Sequence, residues 1–289
     1  MRHILISSIL IISGSLFFVV NDAIINYLSP NGITFYHFVF YGSPIYFFVP
    51  LYLVITGKFK EKLRATNYFI PIFRSLLFAP MPFVTFVALK NISLPEFTTL
   101  NMSAPLFGSI YGIFLLKERI NSFLIISLLL GSIGVLFVVQ PGFENFNPYF
   151  ILVLFGAFII TGSTVIVNKY HYVTSPIGFF IYGGTIVHLL SIILFILDPL
   201  TISLNTYLLI TISSILINGA MLFMTIAFQR SQKYYSSVFC LVYFQILYSM
   251  LIGYFVFGEY LNFYAIMGAI LIVVSGIFSI PSQYKQVNE

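Results

Sequence analysis

Two stretches of this chain read almost alike: Tyr111–Asn121, YGIFLLKERIN, and Ile252–Asn262, IGYFVFGEYLN. At one common offset Gly112 aligns with Gly253, Glu118 with Glu259 and Asn121 with Asn262. Apolar segments resemble one another by chance, so the aligned glutamate and asparagine carry most of the weight. Each stretch is followed by an apolar run with spaced glycines (Gly131 and Gly134; Gly268 and Gly276) and then by a proline, Pro141 or Pro281. A fainter echo lies upstream, where NYLSP (Asn26–Pro30) resembles KYHYVTSP (Lys169–Pro176) with a gap. The chain therefore reads as a duplication.

Composition says what solvent surrounds it. Of 289 residues 60% are hydrophobic and 7% charged, and the mean hydropathy is +1.03. Soluble domains carry about 25% charged residues, so a chain with this few cannot cover its surface in water and belongs in a lipid bilayer. The net charge of +5 does not mark a nucleic-acid partner, because the basic residues sit in short clusters between apolar runs. Cys240 is the single cysteine, which excludes a disulfide within the chain and argues against a cysteine metal site. The opening MRHILISSILIISGSLFFVVND is too long for a signal peptide and lacks a small-residue cleavage site, so it reads as a retained first helix. With no Trp, the 20 Tyr residues are left to supply the interfacial aromatics.

A spanning helix needs about 20 mostly apolar residues. Charges, prolines and loops cut the chain into ten such runs, near 4–28, 33–56, 67–89, 95–116, 120–140, 148–168, 176–197, 203–228, 235–257 and 261–281. Cytoplasmic loops retain Lys and Arg. With the N-terminus inside, Arg2, Lys58, Lys60, Lys62, Arg64, Lys117, Arg119, Lys169, Arg230, Lys233 and Lys285 fall inside, Lys90 falls outside and Arg74 lies within a span. Glu144, Asp198 and Glu259 fall outside. The expected fold is all-α, with about ten transmembrane helices and both termini cytoplasmic. Residues 1–141 and 148–281 form two five-helix repeats, and 282–289 a short tail. Five spans per half is an odd number, so the repeats must be inverted, with Glu118 inside and Glu259 outside. Charge counting gives that placement independently. Inverted repeats characterise secondary transporters, which bind substrate near the membrane midplane.

These features resemble the drug/metabolite transporter superfamily, of the type built from two EamA-like halves. The carrying motif is a span ending in L-x-x-E and then a glycine-spaced span, twice over: LLKERI (Leu115–Ile120) and FGEYLN (Phe257–Asn262). Within it, NDAIINYL (Asn21–Leu28), IFRSLLF (Ile72–Phe78) and SLPEFTTLNMSAPLFGSIYGIFLLKE (Ser93–Glu118) are similar to the S-adenosylmethionine uptake carriers of obligate intracellular bacteria. Two departures stand out. Many members carry an arginine in the second span, where this chain has FYHFVFYGS with His37 the ionisable group. The fourth span of the second half usually has a proline matching Pro105, and CLVYFQILYS (Cys240–Ser249) has none.

Ionisable groups inside a span cost about 2.5–3.5 kcal/mol on insertion scales, so they persist with a partner or a role. Asp22, beside Asn21, lies late in the first span and is the candidate for a cationic substrate group or a coupling proton; the plainer reading pairs it with His37. Arg74 lies some seven or eight residues into the expected third span, about 12 Å at 1.5 Å per residue, within snorkelling reach of the interface. Its fork suits a substrate carboxylate. His188, Asn218 and Gln245 lie mid-span, and Asn101, Asn168 and Tyr243 join them as substrate-binding candidates, although a lone amide in a span is more often glue between helices. Glu118 and Glu259 fit capping better than chemistry.

There is no H-E-x-x-H, G-x-S-x-G, Walker A loop or Rossmann fingerprint. No catalytic residue, metal or cofactor is expected. The expectation is a secondary transporter of the bacterial inner membrane, moving a small polar metabolite by alternating access, with S-adenosylmethionine uptake favoured by the resemblance. An exporter of amino acids or drugs on the same fold is the near rival; an intramembrane enzyme or a non-transporting scaffold is the distant one. The lipid bilayer and a small-molecule substrate are the expected partners and nucleic acid is not; the small-residue step Gly131–Gly134 serves packing within the monomer or a homodimer contact equally well.

Overall fold

A computed structural model describes residues 2–118, 121–139, 147–231, 234–258 and 263–288. Arg119, Pro141, Glu144, Lys233, Glu259 and Asn262, all used in the sequence reading, lie outside the described residues. Among those described the chain forms fourteen α-helices and no strand. Eight helical segments are long and apolar enough to cross a membrane: Leu5–Asn31, Phe35–Ile55, Phe69–Asn91, Phe97–Leu116, Tyr149–Lys169, Pro176–Leu197, Leu204–Arg230 and Tyr235–Phe257. Shorter apolar helices, Ser122–Gly134 and Ile266–Phe278, stand where the fifth and tenth spans were expected. The residues expected as a tail continue the last helix, which runs Phe263–Asn288.

The polarity of the molecule is that of a multi-pass membrane protein. Ser15, Ser127, Thr161, Ser213 and Ser237 are fully buried, while large apolar side chains such as Ile55, Phe114, Leu197 and Phe255 point outward. In a bilayer the helix satisfies its own backbone groups; buried hydroxyls bond back to the preceding turn, as Thr161 does to Ala157 O at 2.6 Å, or across to another helix, as Ser213 does to Asn21 Oδ1 at 2.8 Å.

Three of the eight segments are broken. The third consists of α4 (Phe69–Phe78) and α5 (Met81–Asn91), separated at Pro80, which has no N–H to donate and crowds the carbonyl four residues back. The fourth consists of α6 (Leu94–Asn101) and α7 (Ala104–Leu116), with Pro105 in the first turn of α7. The eighth consists of α12 (Tyr235–Phe239), a 3-10 stretch Cys240–Tyr243, and α13 (Phe244–Phe257). The missing proline in CLVYFQILYS therefore does not leave that helix regular: it tightens to 3-10 instead.

The two like-reading stretches also end alike. α7 closes at Lys117 in the left-handed conformation (φ 57°), and α13 closes at Gly258 (φ 69°), the position aligned with Lys117. At both caps a backbone N–H returns to the aligned glycine carbonyl, Gly112 O or Gly253 O. Lys117 is the one non-glycine residue with positive φ among those described, so the capping geometry holds even where the sequence offers no glycine.

The remaining helices are α1 (Arg2–Leu28), α2 (Phe35–Ile55), α3 (Phe59–Leu63), α8 (Ser122–Val139), α9 (Tyr149–Lys169), α10 (Pro176–Leu197), α11 (Leu204–Arg230) and α14 (Phe263–Asn288). α8 and α14 pack on each other. Ser127 Oγ donates to Ser275 O at 2.9 Å and Ser275 Oγ to Ser127 O at 2.6 Å. Gly134 serves this contact, since a side chain there would press on Gly268 O, while Gly131 makes room for the Tyr243 ring.

Candidate functional site

A cavity of about 220 Å³ lies among the helices that precede α8 and those from α9 to α13; among the described residues none of α8 or α14 lines it. Most of the lining is apolar. The polar groups set into it include Asn21 and Asp22 of α1, Arg74 of α4, Asn101 of α6, His188 of α10, Asn218 of α11 and Gln245 of α13. Seven of the ten residues singled out from the sequence thus share one cavity. Pro80 and the 3-10 stretch break two helices of its wall, and Asn101 stands at the end of α6 where the third is broken.

Asp22 and Arg74 are the buried charges of the wall, 8% and 6% exposed. Among the described residues neither forms an ion pair; Lys62 pairs with Glu61, and His37 Nε2 lies 3.9 Å from Asp198 Oδ2. Asp22 Oδ1 accepts from Asn21 Nδ2 at 3.0 Å, and the Asn21 amide is oriented in turn by Ser213 Oγ, which donates to its Oδ1 at 2.8 Å. Arg74 does not snorkel. Its Nη1 donates to Phe179 O at 2.7 Å, and its Nε is buried without a hydrogen-bond partner. An unpaired buried ion is costly, and both of these stand unpaired on one wall.

His188 stacks on Tyr46, rings 3.9 Å apart and 18° from parallel, and its Nδ1 is 2.8 Å from Ser43 Oγ. Asn218 Nδ2 donates to Ser214 O at 2.7 Å, which leaves its oxygen for the cavity. Asn101 and Gln245 stand on the wall of the two broken helices.

Three expected residues stand elsewhere. His37 does not pair with Asp22: it is the third residue of α2, where it completes a capping box with Thr34 and sits 2.7 Å through Nε2 from Asp198 O. Position in the helix explains this, since the open N–H groups of the first turn are the nearest unsatisfied partners. Asn168 ties the end of α9 to the end of α11, donating to Phe228 O at 2.9 Å and Ser231 Oγ at 3.2 Å. Tyr243 is fully buried in the 3-10 stretch against Gly131. Glu118, just outside the spans, takes the Ser236 N–H at 3.2 Å and the Ser236 hydroxyl. It caps the start of α12, an element far from it in sequence.

Residues 2–140 match the EamA-like transporter family. A protein of Rickettsia conorii named S-adenosylmethionine uptake transporter is 26% identical over 276 residues, 93% of this chain and 90% of the relative. One from Rickettsia bellii with the same name is 25% identical over 278 residues, 93% and 91% of the two chains. An uncharacterized transporter of Helicobacter pylori is 24% identical over 216 residues, 71% of each chain. The first half of the chain, residues 2–140, is EamA-like. A protein of known crystal structure shares its fold, with a TM-score of 0.74, 15% identity and coverage of 95% of this chain and 96% of the other.

A transporter, unlike an enzyme, needs a wall that recognises and releases rather than a catalytic cluster. Among the described residues no group of three His, Cys, Asp or Glu side chains is placed to hold a metal ion. The sequence reading missed Tyr46, which forms part of the cavity wall and carries no charge to single it out. The legible signal was the glycine pair opposite: a side chain at Gly184 would overlap the Tyr46 ring, and one at Gly183 the Arg74 guanidinium. Adjacent glycines in a span mark a place where neighbours come close.

Proposed function

We propose that this chain is an EamA-type secondary carrier of the bacterial inner membrane that moves a small metabolite bearing both a cationic amine and a carboxylate. Ten helices, α8 and α14 among them, form two inverted five-helix repeats with both termini cytoplasmic, and the carrier works by alternating access. The reading rests on one observation above the others: a single cavity holds a buried carboxylate and a buried guanidinium that do not pair with each other. Asp22 takes the cationic end of the cargo and Arg74 the carboxylate, the guanidinium offering a second donor edge once Nη1 is bound to Phe179 O.

The repeat is supported by the matched caps at Lys117 and Gly258 and by the break in the fourth helix of each half. Broken helices beside a midplane site are a recurrent device of such carriers, because irregular backbone is tolerated in a membrane where it lines a cavity. Orientation is supported by the clustering of Lys and Arg in alternate loops.

S-adenosylmethionine is the favoured cargo and uptake the favoured direction. The relatives so named cover nearly the whole chain, and the molecule carries an amine, a sulfonium and a carboxylate. Four methionines in the wall, Met81, Met102, Met221 and Met224, give it the adaptable packing that a large flexible cargo needs. The test is uptake of labelled S-adenosylmethionine by a bacterial host expressing the wild type and Asp22→Asn at matched levels. Saturable uptake that the variant loses supports cargo and carboxylate together. Equal uptake by both overturns the role of Asp22, and no uptake by well-inserted wild type overturns the cargo.

A further inference from the structure

One hydrogen-bonding group in the cavity has its role fixed by counting protons. Ser43 is buried on α2. Its Oγ lies 2.8 Å from Val39 O and 2.8 Å from His188 Nδ1. A serine hydroxyl has one proton, and a carbonyl oxygen can only accept. The Ser43 proton therefore goes to Val39 O. The contact with His188 is a hydrogen bond only if Nδ1 carries a proton and Ser43 Oγ accepts it. The reverse assignment leaves two oxygens facing each other at 2.8 Å with no proton between them.

A neutral imidazole has one N–H, so a protonated Nδ1 leaves Nε2 as a bare acceptor. Among the described residues nothing bonds to that atom: the ring's contacts are Ser43, the Tyr46 stack and a tilted Phe47. The Tyr46 hydroxyl is already committed to Ile181 O. Ser43 and Tyr46 together hold the imidazole from two sides, the stack setting its plane and the Nδ1 bond its rotation. Turning the ring over would replace Nδ1 by a carbon and lose that bond. His37 shows the opposite arrangement. There Nδ1 lies 2.8 Å from Thr34 Oγ1 and receives the Thr34 N–H, so Nε2 is the donor to Asp198 O. One chain thus holds two histidines in opposite tautomers, and the one in the cavity is set with its lone pair unused.

We propose that His188 determines specificity by accepting, at Nε2, a hydrogen bond from a neutral N–H or O–H group of the cargo, as a third recognition point beside Asp22 and Arg74. This rests on the cavity being the cargo site. An exocyclic amine of a nucleobase or a sugar hydroxyl has the required chemistry; an ether or a neutral tertiary amine, such as a dimethylated exocyclic amine, does not. Ser43 and Tyr46 are positioning residues in this scheme, acting through the ring.

Nitrogen-15 NMR of histidine-labelled protein in proteoliposomes tests it, with the His188 signals assigned by their absence in His188→Gln. The expected wild-type spectrum has Nδ1 protonated and Nε2 unprotonated, the Nε2 signal moving when S-adenosylmethionine is added. Ser43→Ala should release the lock and populate the Nε2–H tautomer. His188→Leu should raise the uptake KM by roughly 3- to 10-fold, the scale of one neutral hydrogen bond, with His188→Gln, which keeps an acceptor, falling between. A protonated Nε2 in the wild type overturns the proposal. So does an Nε2 signal unmoved by S-adenosylmethionine in protein that transports it saturably. If the wild type neither transports nor binds this probe, the cargo reading falls by itself. The same spectrum still decides the tautomer, a lone pair at Nε2 supporting the inference and an N–H refuting it.

Discussion

Gly183→Ala tests the architecture of the site more sharply than removing a charge. Gly183 stands on α10 where an added Cβ would overlap Arg74 Nη1 and lie 3.1 Å from its Cζ. The guanidinium is the flexible party and must withdraw, which breaks its 2.7 Å bond to Phe179 O. A hydrogen bond made by a charged group is worth about 1.5–3 kcal/mol. At about 1.4 kcal/mol per tenfold, that corresponds to a loss of roughly 10- to 150-fold in affinity for a cargo whose carboxylate depends on a fixed Arg74. The readout is the initial rate of S-adenosylmethionine uptake across substrate concentrations, at matched amounts of inserted protein. Gly219→Ala is the control: its Cβ would meet Phe17 at an ordinary 3.5 Å, and it should transport as the wild type does. The reasoning is refuted if Gly183→Ala keeps a wild-type KM while Arg74→Gln loses uptake, because Arg74 would then act without the geometry that holds it here.

Two further outcomes follow from residues outside the cavity. Burial pushes the Glu118 carboxyl up to about 7 from an ordinary 4.5, the Ser236 donors pulling it partly back. Between those values the folded chain holds a proton that the unfolded chain has released, so stability falls as pH rises through that window. Thermal unfolding of the purified protein should show a melting temperature that declines from pH 5 to pH 7.5, with a flatter profile in Glu118→Gln; identical profiles would refute the assignment. Asn168→Ala, which removes the amide donor to Phe228 O and Ser231 Oγ while Ser231 still donates to Phe228 O, should lower stability by about 0.5–1.5 kcal/mol and leave the uptake KM unchanged. A raised KM would place Asn168 on the transport path after all.

The sequence by itself determined the solvent and the order of the parts. Seven percent charge in 289 residues leaves a bilayer as the surrounding medium, and the cost of an unpaired backbone group there dictates helices. The cost of a charge in a span likewise picked out Asp22 and Arg74 with no knowledge of their neighbours, because that penalty is a property of the residue and the medium. Partners are a different matter, since they depend on which helices touch. His37 was as ionisable as His188 in the sequence, yet one caps its own helix and the other faces the cavity. Asn168 and Asn218 were equal candidates, until packing gave one a carbonyl across the bundle and the other a place on the wall. The 3-10 break at Cys240–Tyr243 has no proline to announce it. Tyr46 entered the site because glycines on another helix leave it room. Composition and span-by-span cost are additive along the chain and can be read from it, whereas a cavity is made where helices distant in sequence meet, and tertiary packing alone decides what faces into it.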